Sequence, residues 1–364
     1  MKKYLWLLIL FLIPFKVYGT SSYIVMDADS KRVIEGSNIS EEKLIASTTK
    51  IMTSILAIEN GNLDEKVKVD KDVLKAYGSN IYIEMNEEIT LRDLLYGLLL
   101  RSGNDAAIEI ANAIAGSMEE FVKMMNSKAK EIGMNNTNFI NSSGLENEEK
   151  VGNTSTAYDM GLLMSYAIDN PTFVEISGTK RHIATTNYKT YDWHNKNKLL
   201  TNYKYTIAGK TGFTKLARRT LVTAALKDDK RLVVVTLNDP NDFDTHKYLY
   251  EKNFNKYNKV TLLKKGKVTI PNNIFYDNLY IAKDINVLLT TDEEKKVTIN
   301  YELEKKEKYE DNEIVGHVLI KLDNKIVSKE PIYVDKNDDN KSDHNGTKKS
   351  IWQKIIAFFK FWDR

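Results

Sequence analysis

Residues 45–56 read Ile45-Ala46-Ser47-Thr48-Thr49-Lys50-Ile51-Met52-Thr53-Ser54-Ile55-Leu56. From Ile51 onward apolar residues recur at helical spacing, and the pattern continues to Asn60. Ser47 falls at the first turn and Lys50 three residues later, so hydroxyl and amine share one helix face. Such a pair can serve as nucleophile and base, provided burial or a neighbouring cation pulls the lysine pKa down. The helix start adds positive potential and unpaired N–H groups near the reacting oxygen. The same residues also have plain readings. Ser47 suits a helix cap, and Lys50 suits a solvated surface charge.

The S-x-x-K spacing alone decides nothing. It recurs at Ser40/Lys43, Ser127/Lys130 and Ser177/Lys180. Two further triplets separate Ser47 from these. Ser102-Gly103-Asn104 is the only S-x-N in the chain and falls between two helical stretches. Lys210-Thr211-Gly212 is the only K-T-G and ends an apolar, strand-like run. Taken singly, the first is an ordinary inter-helix turn and the second an ordinary strand exit. Their order after Ser47 makes them a set.

Around this set the chain reads as mixed α/β (α+β). Tyr23 to Met26 and Arg32 to Glu35 suggest a hairpin about Asp27-Ala28-Asp29-Ser30. Helical periodicity marks Ile45 to Asn60, Leu91 to Arg101, Asp105 to Ala115, Met118 to Ile132 and Thr156 to Ile168, which should form one helical cluster. After a polar region, Tyr205 to Ala208, Arg219 to Ala225 and Arg231 to Leu237 read as strands, so an antiparallel sheet should gather strands from both ends of residues 20–257. Residues 258–334 then carry short β-like runs at Val260 to Leu263, Lys267 to Ile270, Ile285 to Thr290, Lys296 to Tyr301, Glu313 to Lys321 and Lys325 to Val334. They read as a small all-β domain without a nucleophile pattern, a spacer or scaffold.

Composition narrows the chemistry. The 364 residues contain no Cys, which removes thiol catalysis, disulfides and thiolate metal sites. The five His lack metal-ligand spacing, and no cofactor or metal is expected. With 53 Lys plus Arg against 50 Asp plus Glu, nothing argues for a nucleic-acid partner.

The ordered S-x-x-K, S-x-N and K-T-G set resembles the signature of penicillin-binding proteins and active-site-serine β-lactamases. The text around it, Ile45 to Thr53, Leu100 to Ala107, Asn195 to Leu200 and Gly209 to Thr214, is similar to low-molecular-weight D-alanyl-D-alanine carboxypeptidases. The likeness runs from about Tyr23 to Tyr257. It implies the penicillin-binding-protein and serine β-lactamase-like fold. It implies Ser47 as acylated nucleophile, Lys50 as proton acceptor with Lys210 as the nearby cation, and Ser102 as proton relay. Asn104 would meet the substrate amide or Lys50, and Lys210 and Thr211 the terminal carboxylate. The N–H groups of Ser47 and Phe213 would form an oxyanion hole. The implied substrate is a peptidoglycan stem peptide ending in D-Ala-D-Ala, with β-lactams as covalent inhibitors. A serine β-lactamase is the rival enzyme; Glu146, Glu148 and Glu149 lie in a loop, in no recognised pattern. A non-catalytic penicillin sensor or cell-wall-binding protein is the rival outside catalysis.

The resemblance loosens at two places. In several relatives an Arg after the last hairpin strand helps hold the substrate carboxylate, whereas Asn238 to His246 contains none. His246, Arg218 and Arg219 remain candidates, each with a structural or solvated alternative. Asn238 to His246 nevertheless resembles a sporulation-associated branch. Asn153 stands where many members have His.

Both termini carry membrane signals. Lys2 and Lys3 precede an apolar run from Tyr4 to Phe15, with Val17-Tyr18-Gly19 before a plausible cut near Thr20. Residues 1–19 thus read as a secretory signal, or as an uncleaved anchor, and either exports the rest to the outer face of the bacterial cytoplasmic membrane. Residues 335–349 read as a polar linker. In residues 350–364, Ile351, Trp352, Ile355, Ile356, Phe359 and Trp362 recur at helical spacing beside Lys354, Lys360 and Arg364. An amphipathic helix on the membrane surface fits, packing on the protein's own core being the alternative.

Overall fold

The computed structural model describes residues 21–336. The expected signal, most of the polar linker and the C-terminal amphipathic helix lie outside the described residues. Among those described, no helix is long and apolar enough to cross a membrane.

The first unit comprises the chain up to Val260 together with Asn286–Lys295. Its centre is an antiparallel sheet of β1 (Ser22–Asp27), β2 (Val33–Ser37), β3 (Thr206–Thr214), β4 (Arg218–Lys227) and β5 (Lys230–Leu237). The spatial order is β2-β1-β5-β4-β3, so β1, the first strand of the described chain, pairs directly with β5, the last in sequence of this sheet. The continuous apolar run in β5 has a simple cause, for both faces of the sheet are covered. Val233 and Val235 join Ile24, Met26, Val222 and Ala224 in a core shared with α1 (Lys50–Asn60), α2 (Leu91–Tyr96), α3 (Asn104–Ala115), α4 (Met118–Glu131), α5 (Ala157–Ala167) and α6 (Pro171–Gly178). Leu232 and Val234 point the other way, with Val25 and Leu221, onto Leu249, Tyr250 and Phe254 of α7 (Asp242–Lys256).

Several elements depart from the sequence reading. The region after Ile168 is not merely polar. Asn170 caps α6 by accepting from the N–H groups of Thr172 and Phe173, Pro171 opens the helix, and a hairpin pairs Arg181–Thr185 with Thr190–His194. Helix α7 was masked because its buried stripe includes Asp242, His246 and Asn253 among the apolar residues. The K-T-G triplet is no strand exit: β3 runs through it to Thr214, paired along its length with β4.

The second unit, Thr261–Ile285 with Lys296 onward, holds an antiparallel sheet in the order Gly266–Lys267, Leu279–Ile281, Lys325–Val334, Ile314–Leu322, Val297–Leu303. Leu279–Ile281 is a strand the sequence reading lacked, and the expected strand at Lys267 to Ile270 shrinks to two residues. Leu279, Val318, Ile320, Ile332 and Val334 are buried there. Residues 286–295, read from sequence as part of the small β domain, belong instead to the first unit. The Leu288 N–H donates to Asp27 Oδ2 at 2.9 Å, Arg32 Nη1 donates to the Leu288 carbonyl at 2.5 Å, and Arg32 Nη2 pairs with Glu293 Oε1 at 2.5 Å. Partners more than 250 residues apart leave no local sequence signal.

Candidate active site

Ser47 sits in a short 3-10 turn, Ala46–Thr49, that runs into α1. Its side chain caps nothing. Ala46 holds a positive φ of 47°, a strained state for a residue with a Cβ. Gly144 explains how the turn is held. At φ +85°, a Cβ on Gly144 would lie 1.8 Å from the Ala46 carbonyl oxygen, so only glycine lets the 140–144 loop cross behind the turn. Asn153 stitches that loop in place: its Oδ1 accepts from the N–H groups of Ile140 and Asn141, while its Nδ2 donates to Thr49 Oγ1 and the Asn141 carbonyl. The position where many relatives carry His is here a buried hydrogen-bonding hub.

Lys50 is fully buried. Its Nζ donates to Ser47 Oγ at 3.2 Å, to Asn104 Oδ1 at 2.7 Å and to the Ser143 carbonyl at 2.7 Å. Burial is the main force holding this amine well below the ordinary lysine value of 10.5, with the charges of Lys210 and Lys196 adding to it and Asp105 opposing. A neutral amine at hydrogen-bond distance from a hydroxyl can take its proton. Among the described residues, no carboxylate hydrogen-bonds to Ser47 or Lys50.

Asn104 opens α3 and is 3% exposed. Its Oδ1 is taken by Lys50, and its Nδ2 donates to the Tyr77 carbonyl at 2.5 Å. Of the two partners expected for it, substrate amide or Lys50, the structure supplies Lys50. Ser102 ends the π-type turn Gly97–Arg101 in the left-handed region, φ 66° and ψ 38°. A serine held there is a sign of a site that uses its side chain.

Ser47 and Ser102 line one pocket of ≈ 420 Å³ with Thr211, Gly212 and Phe213 of β3. Its other walls carry Ser79, Lys196, Lys198, Arg219, Asp242 and Phe243. Gly212 is required by close approach: a Cβ would meet Thr220 Oγ1 at 2.3 Å and the Ser47 nitrogen at 3.0 Å. The strand therefore passes directly against the Ser47 turn at Gly212, with Phe213 next along it. Lys210 is only 1% exposed, lies beneath this wall and donates to the Thr211 carbonyl at 2.8 Å. Burial, reinforced by Lys196, brings its pKa down to about 7.

These elements have counterparts in known proteins. A family profile described as D-alanyl-D-alanine carboxypeptidase matches residues 17–241. The chain belongs to this family. A second profile, the C-terminal domain of penicillin-binding protein 5, matches residues 245–340. The D-alanyl-D-alanine carboxypeptidase DacF of Bacillus subtilis is 35% identical over 224 residues, 60% of this chain but only 57% of that protein. The D-alanyl-D-alanine carboxypeptidase DacC of Escherichia coli is 28% identical over 94% of this chain and 88% of its own length. The crystal structure of penicillin-binding protein 5 from Haemophilus influenzae, 24% identical, superposes with a TM-score of 0.70 over 86% of this chain and 96% of that one. The likeness extends the shared fold through the small β domain. The chain is thus a low-molecular-weight penicillin-binding protein in architecture.

Among the candidates for carboxylate recognition, the structure separates the three named from sequence. His246 is wholly buried between Thr223 Oγ1 at 2.7 Å and Thr236 Oγ1 at 3.0 Å, and burial lowers its pKa to about 3, so it is a neutral packing group. Arg218 is exposed and does not line the pocket. Arg219 does line it. Glu146, considered for the β-lactamase reading, accepts a hydrogen bond from Thr214 Oγ1.

Sequence reasoning missed Asp105. Its carboxylate accepts from the N–H groups of Ile81 at 3.0 Å, Tyr82 at 2.6 Å and Ala106 at 2.9 Å, which pins the Ser79-bearing rim. The signal was at hand, since Asp105 is the second residue of α3, a place where a carboxylate meets unpaired N–H groups.

Proposed function

We propose that this protein is an exported serine carboxypeptidase that removes the terminal D-alanine from peptidoglycan stem peptides ending in D-Ala-D-Ala. The observation that carries the reading is the buried Lys50 amine, 3.2 Å from Ser47 Oγ, at a pocket also lined by Ser102 and Thr211. Family membership supports it, as do the relatives named for this activity.

In the proposed reaction neutral Lys50 takes the Ser47 proton while Oγ attacks the carbonyl carbon of the penultimate D-Ala. The resulting oxyanion lies against the N–H groups of Ser47 and Phe213. Ser102 passes the proton from Lys50 toward the leaving amine as the C–N bond breaks, and D-alanine departs. Water then attacks the acyl-enzyme ester, Lys50 accepting its proton and passing one to Ser47 Oγ as the ester C–O bond breaks, and the shortened peptide leaves with the Ser47 hydroxyl and neutral Lys50 restored. Asn104 keeps Lys50 aimed at Ser47. Thr211 meets the substrate, and the positive charge of Lys210 adds to burial in keeping the Lys50 amine neutral and able to accept the proton. A β-lactam undergoes the same attack but leaves a slowly hydrolysed ester on Ser47. The expected location is the outer face of the bacterial cytoplasmic membrane, with residues 350–364 lying on lipid, and the sporulation-associated text of Asn238 to His246 suggests spore-wall peptidoglycan as the setting.

The test is D-alanine release from a peptide ending in D-Ala-D-Ala, with Ser47→Ala as control, alongside mass measurement after a labelled penicillin. Release lost in Ser47→Ala and a long-lived adduct on the wild-type serine are expected. Rapid penicillin turnover would point to a β-lactamase, and an adduct without any release to a sensor. Vesicles of anionic lipid should retain the full chain but not one ended before residue 350.

A further inference from the structure

Glu146, two residues past Gly144, carries a carboxylate that the reaction described above does not use. The residue is half-buried, and its Oε1 accepts from Thr214 Oγ1 at the end of β3. Among the described residues, no Lys, Arg or His pairs with it.

Both sides of this contact are fixed. Thr214 Oγ1 accepts from the Ala217 N–H at 3.0 Å, which turns the hydroxyl proton toward Glu146. The Glu146 carbonyl accepts from the Tyr77 hydroxyl at 2.7 Å, and the Leu145 carbonyl accepts from Asn141 Nδ2 at 2.8 Å. A carboxylate without a cation is thus held in one place, with the exposed Tyr77 beside it.

The direction of β3 says which part of a substrate arrives there. Ser47 packs against Gly212, and β3 ends the order of its sheet, so an extended peptide can pair along its second edge. With the leaving D-alanine at Thr211, the acyl part runs the other way, past Phe213 toward Thr214. The third residue from the chain end begins about 3.8 Å beyond the acylated alanine. Thr214 lies two strand residues, about 7 Å, beyond Gly212. A side chain of lysine length spans what remains, and a carboxylate next to an aromatic ring suits an ammonium group. The neighbouring acids fit less well. Asp105 is engaged by the N–H groups of residues 81–83 and Asp242 by Arg219, while Glu148 and Glu149 are exposed with nothing orienting them.

Resting on the carboxypeptidase reading above, we propose that Glu146 binds an ammonium group on the side chain of the third residue from the C-terminus of the peptide, and so favours stem peptides whose third residue keeps a free amine. Glu146 is a specificity-determining residue, and Thr214 a positioning residue.

The experiment compares two peptides that carry Nα-acetyl-lysine before D-Ala-D-Ala, one with the side-chain amine free and one with it acetylated. Wild type should favour the free amine by about 10-fold in kcat/KM for D-alanine release. Glu146→Gln should bring the ratio to about 1 and Glu146→Lys should invert it. Thr214→Val should lower it partway and Thr214→Ser restore it, whereas Glu148→Gln should keep it. A second readout needs no peptide turnover: the rate at which Ser47 is acylated by a penicillin with an amine-bearing side chain, against its N-acetylated form, should follow the same order and also shows that each variant is folded. A wild-type ratio near 1 in both assays, a ratio that survives Glu146→Gln, or one lost equally in Glu148→Gln overturns the Glu146 assignment. A wild type that releases no D-alanine overturns the carboxypeptidase reading, and the penicillin pair then decides Glu146 by itself. Unequal rates made equal by Glu146→Gln uphold the assignment, and equal rates in wild type overturn it.

Discussion

At the scale of single residues, the site turns on how two lysines are kept from holding protons. Lys50 is buried and faces the charges of Lys210 and Lys196, so its neutral fraction grows as pH rises through a value well below 10.5. The acylation rate by a penicillin should therefore climb with pH along a single limb set by Lys50. Because Lys210 pushes that pKa down, Lys210→Gln should move the midpoint to higher pH, and an unchanged or lower midpoint would contradict the charge coupling. Lys50→Arg, which cannot deprotonate, should lose about 10²–10⁴-fold in acylation rate without losing fold. Gly144 makes the matching structural case. Gly144→Ala combines a left-handed backbone with a Cβ driven into the Ala46 carbonyl, so unfolding in urea should show a loss of about 2–5 kcal/mol. A change below 0.5 kcal/mol would mean the 140–144 loop does not brace the nucleophile turn.

At the scale of elements, the start of α3 does two jobs with adjacent residues. Asn104 faces Lys50, and Asp105 gathers the N–H groups of residues 81–83 and thereby fixes the rim that carries Ser79. Asp105→Asn would turn an amide N–H₂ toward one of those donors. The expected outcome is a loss of about 2–3 kcal/mol in stability and faster proteolytic cleavage within 77–85, with slower penicillin acylation. Intact protection of that segment would refute the pinning role. Strand β3 illustrates what local text conveys and what it does not. Its apolar beginning at Tyr205 to Ala208 was legible, but Lys210, Thr211 and Gly212 lack strand character, and only pairing with β4 extends the strand to Thr214. Helix α7 was hidden for a related reason: half its buried face is polar, His246 being held between Thr223 and Thr236 and Asp242 by Arg219.

At the scale of the whole molecule, the first unit does not end where the chain first leaves it. Residues 286–295 return and supply partners to Asp27 and to Arg32, whose side chain is 7% exposed. A chain ended after Val260 removes both partners of that guanidinium and the N–H group that Asp27 accepts, and so loses these contacts together. Its urea midpoint should fall accordingly relative to the full chain, and Glu293→Gln in the full chain should reproduce part of the drop. Equal midpoints would show that the returning segment contributes nothing to the first unit.

The sequence by itself determined most of the helical cluster, the first and last hairpins of the main sheet, the small β domain and the candidate set of Ser47, Lys50, Ser102 and the K-T-G triplet, because periodicity, turn chemistry and rare ordered triplets are local properties. It named Ser47, Lys50, Ser102, Thr211 and Phe213, which surround one pocket or, for Lys50, touch the residue at its floor. Only the tertiary structure decided that Asn104 turns to Lys50, that Lys210 lies buried beneath the strand, and that Arg219 rather than His246 or Arg218 reaches the pocket. Those outcomes depend on burial and on partners far apart in the chain, which no stretch of residues contains.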